Sequence, residues 1–292
     1  MKEAFSDKLH LNKANKEKLL VVNNIVDEYK EQGYVLTLRQ LYYQLVSRGI
    51  IPNQQVEYSK LSSLLVKGRM AGIVDWSSIE DRLRVPYLSY WVTGIQDAIK
   101  DTIDYYRLDR QKDQKVYIEL WVEKDALSGV LKPITSHYHI NLMVNRGYSS
   151  CSAMYYSYKR FYTELKGLGK EIVILYLGDH DPSGLDMLRD IRNRLDEFGL
   201  YDFTVKHIGL TSEQIKQYNP PPNPAKFKDP RAAWYIEQHG ETSWEVDALN
   251  PSILNELIRE NIENLVDMDL FEKQLQQEIK DKKKLEKYMK ML

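Results

Sequence analysis

The spacing of apolar side chains changes near residue 115. Before that point apolar residues recur every three or four positions, and Leu38, Leu41, Tyr42, Leu45 and Val46 form one such stripe. This spacing is typical of an amphipathic helix and makes Tyr42 a core residue. Helices are predicted over residues 12–33, 38–49, 57–71 and 86–110.

After residue 115 the apolar residues come in short runs typical of buried strands. Strands are predicted over residues 116–123, 140–145, 171–179 and 203–210. Helical patterns separate them, over about 125–137, 152–167 and 184–198. This alternation predicts an α/β fold with a mainly parallel sheet that helices cover.

The chain divides into four predicted segments. Three short helices and the small extended element IVDW indicate a winged-helix-like module before the sheet, and the run NPPPNPAKFKDP must be a loop after it. The segments are an N-terminal helix (1–34), the winged-helix-like domain (35–110), the α/β domain (111–218), and the Pro-rich loop with C-terminal helices (219–292).

Composition and charge narrow the class of protein. Hydrophobic residues make up 43% of the chain and charged residues 28%, as in an ordinary globular protein. The net charge of −1 argues against a uniformly basic nucleic-acid coat. Residues 35–85 are locally basic, with seven Lys and Arg against four Asp and Glu. That surplus suits phosphate contact, although a solvated helix face would carry the same charges. The seven are Arg39, Arg48, Lys60, Lys67, Arg69, Arg82 and Arg84.

Cysteine content and hydropathy bear on the compartment. The single cysteine, Cys151, excludes an internal disulfide and a Cys-based zinc site, including the zinc module typical of primases. No run reaches the length of a membrane span, and the N-terminus lacks an apolar signal region. We therefore expect a cytoplasmic protein with no membrane partner, associated with the nucleoid if the cell is prokaryotic.

Three acidic residues follow predicted strands. Glu123 ends the first strand, and Asp179 and Asp181 end the third in the stretch LGDHDPSG. The carboxyl ends of parallel strands meet at one edge of a sheet, so we expect these carboxylates to converge there. They would repel one another unless a cation lay between them, and Mg²⁺ prefers such oxygen ligands. Capping or salt-bridging acids at strand ends are the alternative.

The motifs around these acids resemble a known family. VEKDALSGVL (122–131), the Gly147-Tyr148 step and GDHDPSGLDM (178–187) resemble the Toprim fold of the topoisomerase VI A subunit and its meiotic double-strand-break relative. The resemblance implies a Rossmann-like Toprim domain that binds Mg²⁺ or Mn²⁺ through Glu123, Asp179 and Asp181. Lys124 and Asp125 also match the pattern.

A tyrosine motif lies in the place that this family would require. Its members carry the nucleophilic tyrosine in R-x-x-[YF]-Y within a preceding winged-helix domain, and this chain has Arg39-Gln40-Leu41-Tyr42-Tyr43. Tyr43 lies off the apolar stripe and four residues after Arg39, so we expect an exposed phenol beside a guanidinium. The arginine could orient a phosphate or favour the phenolate. The alternative is a tyrosine that only contacts DNA or is partly buried.

The resemblance covers about residues 35–215 and implies a DNA-cleaving enzyme. The expected partners are double-stranded DNA, a second copy of the chain, and a separate ATPase or other subunit. In relatives, the tyrosine of one subunit meets the metal of the other and forms a 5′-phosphotyrosyl link. The residues expected to contact DNA are Arg39, Arg48, Lys60, Lys67, Arg69 and Lys124.

The sequence is also compatible with two rival functions. A hydrolytic nuclease on the same scaffold would use metal-activated water and leave Tyr43 uninvolved. A DNA-binding protein with an inactive Toprim domain would cleave nothing. A further acidic pair, Glu245 and Asp247 in SWEVDAL, could approach the metal site, but a charged strand or helix start is the simpler interpretation.

Overall fold

The computed structural model describes residues 2, 4–5, 11–80, 89–145, 147–224 and 231–291. Arg82, Arg84 and most of the Pro-rich loop (225–230) lie outside the described residues. Helices occupy most of the N-terminal part. They are α1 (Lys13–Glu31), α2 (Leu38–Ser47), α3 (Gln55–Met70) and α4 (Ile95–Tyr105).

The first three helices enclose a core of their own. It includes Leu19 and Tyr29 of α1, Leu41 and Leu45 of α2, and Leu61 of α3. Two short strands, β1 (Leu36–Thr37) and β2 (Ile79–Glu80), pair in parallel beside it. The prediction that IVDW (73–76) is extended is wrong: this stretch leads into the 3₁₀ turn Trp76–Ser78, and the strand that pairs with β1 follows at Ile79.

The central sheet has four parallel strands. They are β3 (Val116–Val122), β4 (Asn141–Val144), β5 (Glu171–Leu177) and β6 (Phe203–Gly209), in the order β4-β3-β5-β6. The helices between and after them are α5 (Ser128–Tyr138), α6 (Cys151–Tyr162), α7 (Pro182–Glu197) and α8 (Ser212–Tyr218). The α/β prediction and the four predicted strands are confirmed.

Both faces of the sheet are buried. Ile118, Leu120 and Leu175 point into one apolar core, and Trp121 and Ile174 point into the other. Strands buried on both faces read as continuous apolar runs, which is why β3 and β5 could be recognised in the sequence.

The C-terminal part returns to both cores. It contains β7 (Asn223–Pro224), α9 (Ala232–His239), β8 (Thr242–Ser243), α10 (Pro251–Glu263) and α11 (Met268–Met289). Helix α10 packs against the sheet, whereas Ala248 joins the core of α1–α3. The segment between β8 and α10 thus connects the two cores. No helix in the described ranges is both long and apolar enough to cross a bilayer.

Candidate active site

Helix α2 presents Arg39 and Tyr43 on one face. Thr37 and Gln40 form a reciprocal capping box that fixes the start of the helix. Arg39 and Tyr43 are one turn apart, and Arg39 Nη2 lies 3.5 Å from the Tyr43 hydroxyl. The sequence-predicted pair is therefore formed.

The Glu245 and Asp247 side chains cover this pair. The Tyr43 hydroxyl donates a hydrogen bond to Glu245 Oε2 at 2.5 Å, and Arg39 Nη2 donates to the same oxygen. Arg39 Nε lies 2.8 Å from Asp247 Oδ2, as an ion pair without the alignment of a hydrogen bond. An acidic pair that the sequence indicated only weakly thus belongs to the site.

A backbone bridge explains how these acids reach the sheet edge. His180 and Trp244 exchange two backbone hydrogen bonds of 2.9 and 3.0 Å directly after β5. The bridge places Glu245 and Asp247 beside the residues that follow the strand. The 3₁₀ turn Val246–Ala248 then packs on α2.

Lys124 joins the acids from three parts of the chain. Its ammonium lies 2.8 Å from Asp179 Oδ2, 3.0 Å from Glu245 Oε2 and 2.9 Å from Asp247 Oδ1. The positive charge between the acids is thus a lysine in this structure. We call the set of Arg39, Lys124, Asp179, Glu245 and Asp247 the Lys124 cluster.

Asp179 lies at the centre of the sheet edge. Strands β3 and β5 end in register at Val122 and Leu177, so the residues that follow them are neighbours. The Asp179 amide donates to Glu123 Oε2 at 3.3 Å, and Asp179 Oδ1 accepts from the Val246 amide at 2.9 Å. Two of the three predicted acids are therefore adjacent.

Asp181 has a different structural role from Asp179. Its Oδ1 accepts from the Gly184 amide at 2.7 Å and from Ser183 Oγ at 2.9 Å, which caps the N-terminus of α7. A Cβ on Gly184 would lie 2.2 Å from the Asp179 carbonyl oxygen, so only glycine lets α7 start this close to the strand. The capping alternative holds for this aspartate.

His180, which lies between Asp179 and Asp181 in the sequence, is buried. Its ring nitrogens lie 2.9 Å from the Tyr235 hydroxyl and 3.1 Å from Ser212 Oγ. Burial, together with the nearby His239, lowers the pKa of His180 to about 4. The histidine therefore serves as a neutral anchor for α8 and α9.

The expected exposure of Tyr43 is wrong. The side chain is only 4% exposed, because the turn Val246–Ala248 packs over its face of α2. Burial and the charges of Asp247 and Glu245 raise the pKa of Tyr43, against the opposing effect of Arg39. The expectation that Arg39 would favour the phenolate is therefore not met in this conformation, and the phenol stays protonated.

The carboxylates of the cluster differ in basicity. Burial raises the pKa of Asp179 to about 7; Lys124 opposes this, and Glu123 and Asp247 add to it. Burial also acts to raise the pKa of Glu245, but Lys124 and Arg39 outweigh it and lower the value to about 2. The acids in turn raise the pKa of Lys124 and Arg39 against the effect of burial, so both remain charged.

A pocket of 370 Å³ adjoins the cluster. Tyr43 and Glu245 lie in its wall, and the Asn223 amide approaches the Tyr43 hydroxyl at 3.4 Å. Tyr42 is only 5% exposed, which confirms its predicted core position, and its hydroxyl donates to Asn53. The phenol oxygen of Tyr43 is buried but adjoins a space that a substrate could enter.

Comparison with family models, curated proteins and solved structures finds no match to this chain. The assignment of a function therefore depends on the site itself.

The other predicted DNA contacts lie outside the Lys124 cluster. Arg48 forms a bidentate pair with Glu28, and Lys60 lies 2.7 Å from Glu57. Lys60 and Lys67 of α3 line a second pocket, of 440 Å³. Arg69 instead donates to the carbonyls of Trp76 and Ile79 and holds the chain before β2.

The acids at the sheet edge have the right chemistry to bind a divalent cation, but fewer of them are grouped than such a site usually needs. Glu123 Oε2 accepts from the Asp179 amide, and the charge of Glu123 adds to the burial that raises the pKa of Asp179. A divalent cation held by both carboxylates would relieve this repulsion. In the described part of the chain, however, no three His, Cys, Asp or Glu side chains are grouped to hold a metal. Asp181 caps α7, and Lys124 occupies the space beside Asp179.

Proposed function

We propose that this protein cleaves DNA by transesterification, with Tyr43 as the nucleophile and a divalent metal at the sheet edge. One observation carries the proposal. The Tyr43–Arg39 pair of α2, Asp179 after β5 and, through the Asp179 amide, Glu123 after β3 belong to one network of ion pairs and hydrogen bonds. Two motifs about 80 residues or more apart in sequence therefore meet at a single site.

The fold supports a relationship to the topoisomerase VI A subunit. A parallel sheet with Glu123 and Asp179 at the ends of neighbouring strands is compatible with a Toprim domain. Helices α1–α3 with the short β1–β2 pair are compatible with a winged-helix-like module. Both assignments are part of the proposal.

The chain's own residues would divide the reaction between them. Arg39 would orient the scissile phosphate, and Lys124 would turn from its acids to a phosphate oxygen. Glu123 and Asp179 would hold Mg²⁺ or Mn²⁺, which supplies charge stabilisation at the phosphoryl group when bound. The Tyr43 oxygen bonds to phosphorus and the bond to the 3′ oxygen breaks, which leaves a 5′-phosphotyrosyl link and a 3′-hydroxyl.

The same proposal covers DNA binding and assembly. Lys60 and Lys67 line the pocket between α1 and α3, where Lys18 adds a third cation that the sequence did not single out. This row would follow the phosphate backbone. Cleavage of both strands would need two copies of the chain, so we propose a homodimer; a separate ATPase would be required only for strand passage.

A hydrolytic nuclease is the second candidate, and one observation favours it. Tyr43 is buried, and its raised pKa makes it a poor nucleophile in this conformation. Metal-activated water would then attack the phosphate, and the acids and Lys124 would keep their roles. Only the chemistry of the product separates this candidate from transesterification.

The test is cleavage of supercoiled DNA with Mg²⁺ or Mn²⁺, stopped with denaturant and analysed with and without protease. Wild type, Tyr43→Phe and Asp179→Ala are compared. Tyr42→Phe is the matched control, because it removes the adjacent phenol oxygen from the same helix. We expect protein-linked DNA ends from wild type and Tyr42→Phe and none from the other two variants.

The alternatives predict different products. Free ends that persist in Tyr43→Phe and disappear in Asp179→Ala would establish the hydrolytic nuclease. Absence of cleavage by wild type, with retained DNA binding, would favour a binding module whose Toprim-like domain is inactive.

A further inference from the structure

The Glu245 carboxylate lies where a proton acceptor for Tyr43 would have to lie. Its Oε2 accepts the phenol hydrogen bond at 2.5 Å, which is within reach for direct proton transfer. We infer that Glu245 is the general base that deprotonates Tyr43. This inference rests on the proposed function, since it assigns a residue to the same reaction.

The other groups that contact the Tyr43 hydroxyl cannot take its proton. Arg39 is a cation and the Asn223 amide is a donor. Asp247 contacts Arg39 and Lys124, and no contact joins it to the phenol among the described residues. Within this part of the chain, Glu245 is therefore the acceptor that the geometry selects.

Bound DNA would make Glu245 a stronger base. In the free protein Arg39 and Lys124 both contact its Oε2, and their charges hold the pKa of Glu245 at about 2. A scissile phosphate offers both cations another anion. As they turn toward the phosphate, the Glu245 carboxylate loses its counter-charges and its affinity for the phenol proton rises. Substrate binding and activation of the nucleophile are thereby linked.

The proposed step balances in atoms and protons. The phenol proton moves to Glu245 Oε2 as the Tyr43 oxygen bonds to phosphorus. The bond between phosphorus and the 3′ oxygen breaks, and this oxygen takes one proton from solvent. Glu245 then returns its proton to solvent, so no oxidant, reductant or cofactor is consumed.

Glu245→Gln tests the inference, because glutamine is close to glutamate in shape but cannot act as the base. The readout is the rate of protein-linked DNA formation between pH 6 and 9, with DNA affinity measured in parallel. The titratable and charged groups that face Glu245 are Tyr43, Arg39, Lys124 and Asp247. Glu241→Gln is the matched control, since it removes an exposed carboxylate four residues earlier.

We expect Glu245→Gln to lower the rate about 100-fold or more at pH 7, the usual effect of losing a general base. The ratio of its rate to the wild-type rate should rise about tenfold per pH unit as hydroxide replaces the base. The ratio removes the effect of Asp179, which ionises in both proteins, and the same ratio for Glu241→Gln should stay near one. DNA affinity should not fall, because the variant removes a negative charge beside the phosphate.

A second variant distinguishes loss of the base from a defect in folding. Glu245→Ala should regain activity when formate is added, since a free carboxylate can enter the space left by the side chain. A Glu245→Gln rate equal to that of wild type would overturn the inference, and so would a loss of rate that depends on neither pH nor formate. In either case, protein-linked ends from wild type would still support the proposed function. Wild type without protein-linked ends would overturn both.

Discussion

Two carboxylate clusters at the same sheet differ in charge balance. Glu119 of β3 is fully buried, and its oxygens accept from Arg160, Trp121, Tyr117 and Asn141. One carboxylate thus faces one guanidinium and several neutral donors. In the Lys124 cluster, three carboxylates share two cations, with Glu123 alongside.

The difference in charge balance indicates a different role for each cluster. A buried carboxylate that is matched by one guanidinium and by several hydrogen bonds leaves no uncompensated charge in the folded state. Surplus buried charge raises the free energy of the folded state and is expected where a ligand of opposite sign binds. The Glu119 cluster is therefore interpreted as structural and the Lys124 cluster as functional.

The largest expected effect is on DNA cleavage. Asp179→Asn should reduce the rate at least 100-fold, because it removes an acid proposed to hold the metal. Glu119→Gln should cleave within about threefold of wild type at a temperature where both variants are folded. Rates under the same metal and salt conditions check this, and equal losses in both variants would remove the functional distinction.

The next largest effect is on stability. Glu119→Gln should lower the free energy of unfolding by about 2 kcal/mol, below the range for a fully buried pair because Arg160 is partly exposed. Asp179→Asn should lower it less or raise it at pH 8, since it relieves repulsion from Glu123 and Asp247. Urea unfolding measures both, and a greater loss in Asp179→Asn would contradict the comparison.

A smaller effect is the pH dependence of the stability difference between Asp179→Asn and wild type. The pKa of Asp179 is raised from 3.8 to about 7 by burial, opposed by Lys124 and reinforced by Glu123 and Asp247. A carboxyl with a raised folded-state pKa favours folding most below its unfolded value, and this contribution is lost as pH rises through about 7. The melting temperature of Asp179→Asn relative to wild type should therefore climb by a few degrees from pH 5 to pH 8. A difference that does not change with pH would show that the folded protein does not raise the pKa of Asp179.

The smallest effect concerns the response to metal. Lys124→Met removes the ammonium that competes with a divalent cation for Asp179. Mg²⁺ should therefore raise the melting temperature of this variant by about 3 °C more than that of wild type. Arg160→Met, which removes the cation of the matched cluster, is the control and should gain no response. Equal Mg²⁺ responses in both variants would argue against a metal at the sheet edge.

The sequence predicted the fold more fully than the site. Apolar runs located β3 and β5, and glycine and capping residues located the ends of α1 and α2, because these signals are local. Tyr43 and Glu245 are 202 residues apart in sequence. Their contact in the fold depends on the His180–Trp244 bridge. No local pattern encodes such a contact.

The two aspartates of GDHDP show the same limit. Their spacing suggested equivalent ligands, but the chain turns into α7 directly after Asp181 and uses that side chain as the cap. The Glu-x-Asp spacing of Glu245 and Asp247 was the only signal for the missing part of the site. It became informative once the structure placed the pair beside Lys124.

The most direct test of the central claim is to identify the residue that carries DNA after cleavage. Protein trapped with DNA and Mg²⁺ would be treated with nuclease and trypsin, and the peptide 40–48, which contains Tyr42 and Tyr43, examined by fragmentation mass spectrometry. The account predicts a nucleotide linked through its 5′-phosphate to Tyr43. A nucleotide on Tyr42 or another residue, or cleaved DNA with no modified peptide, would contradict it.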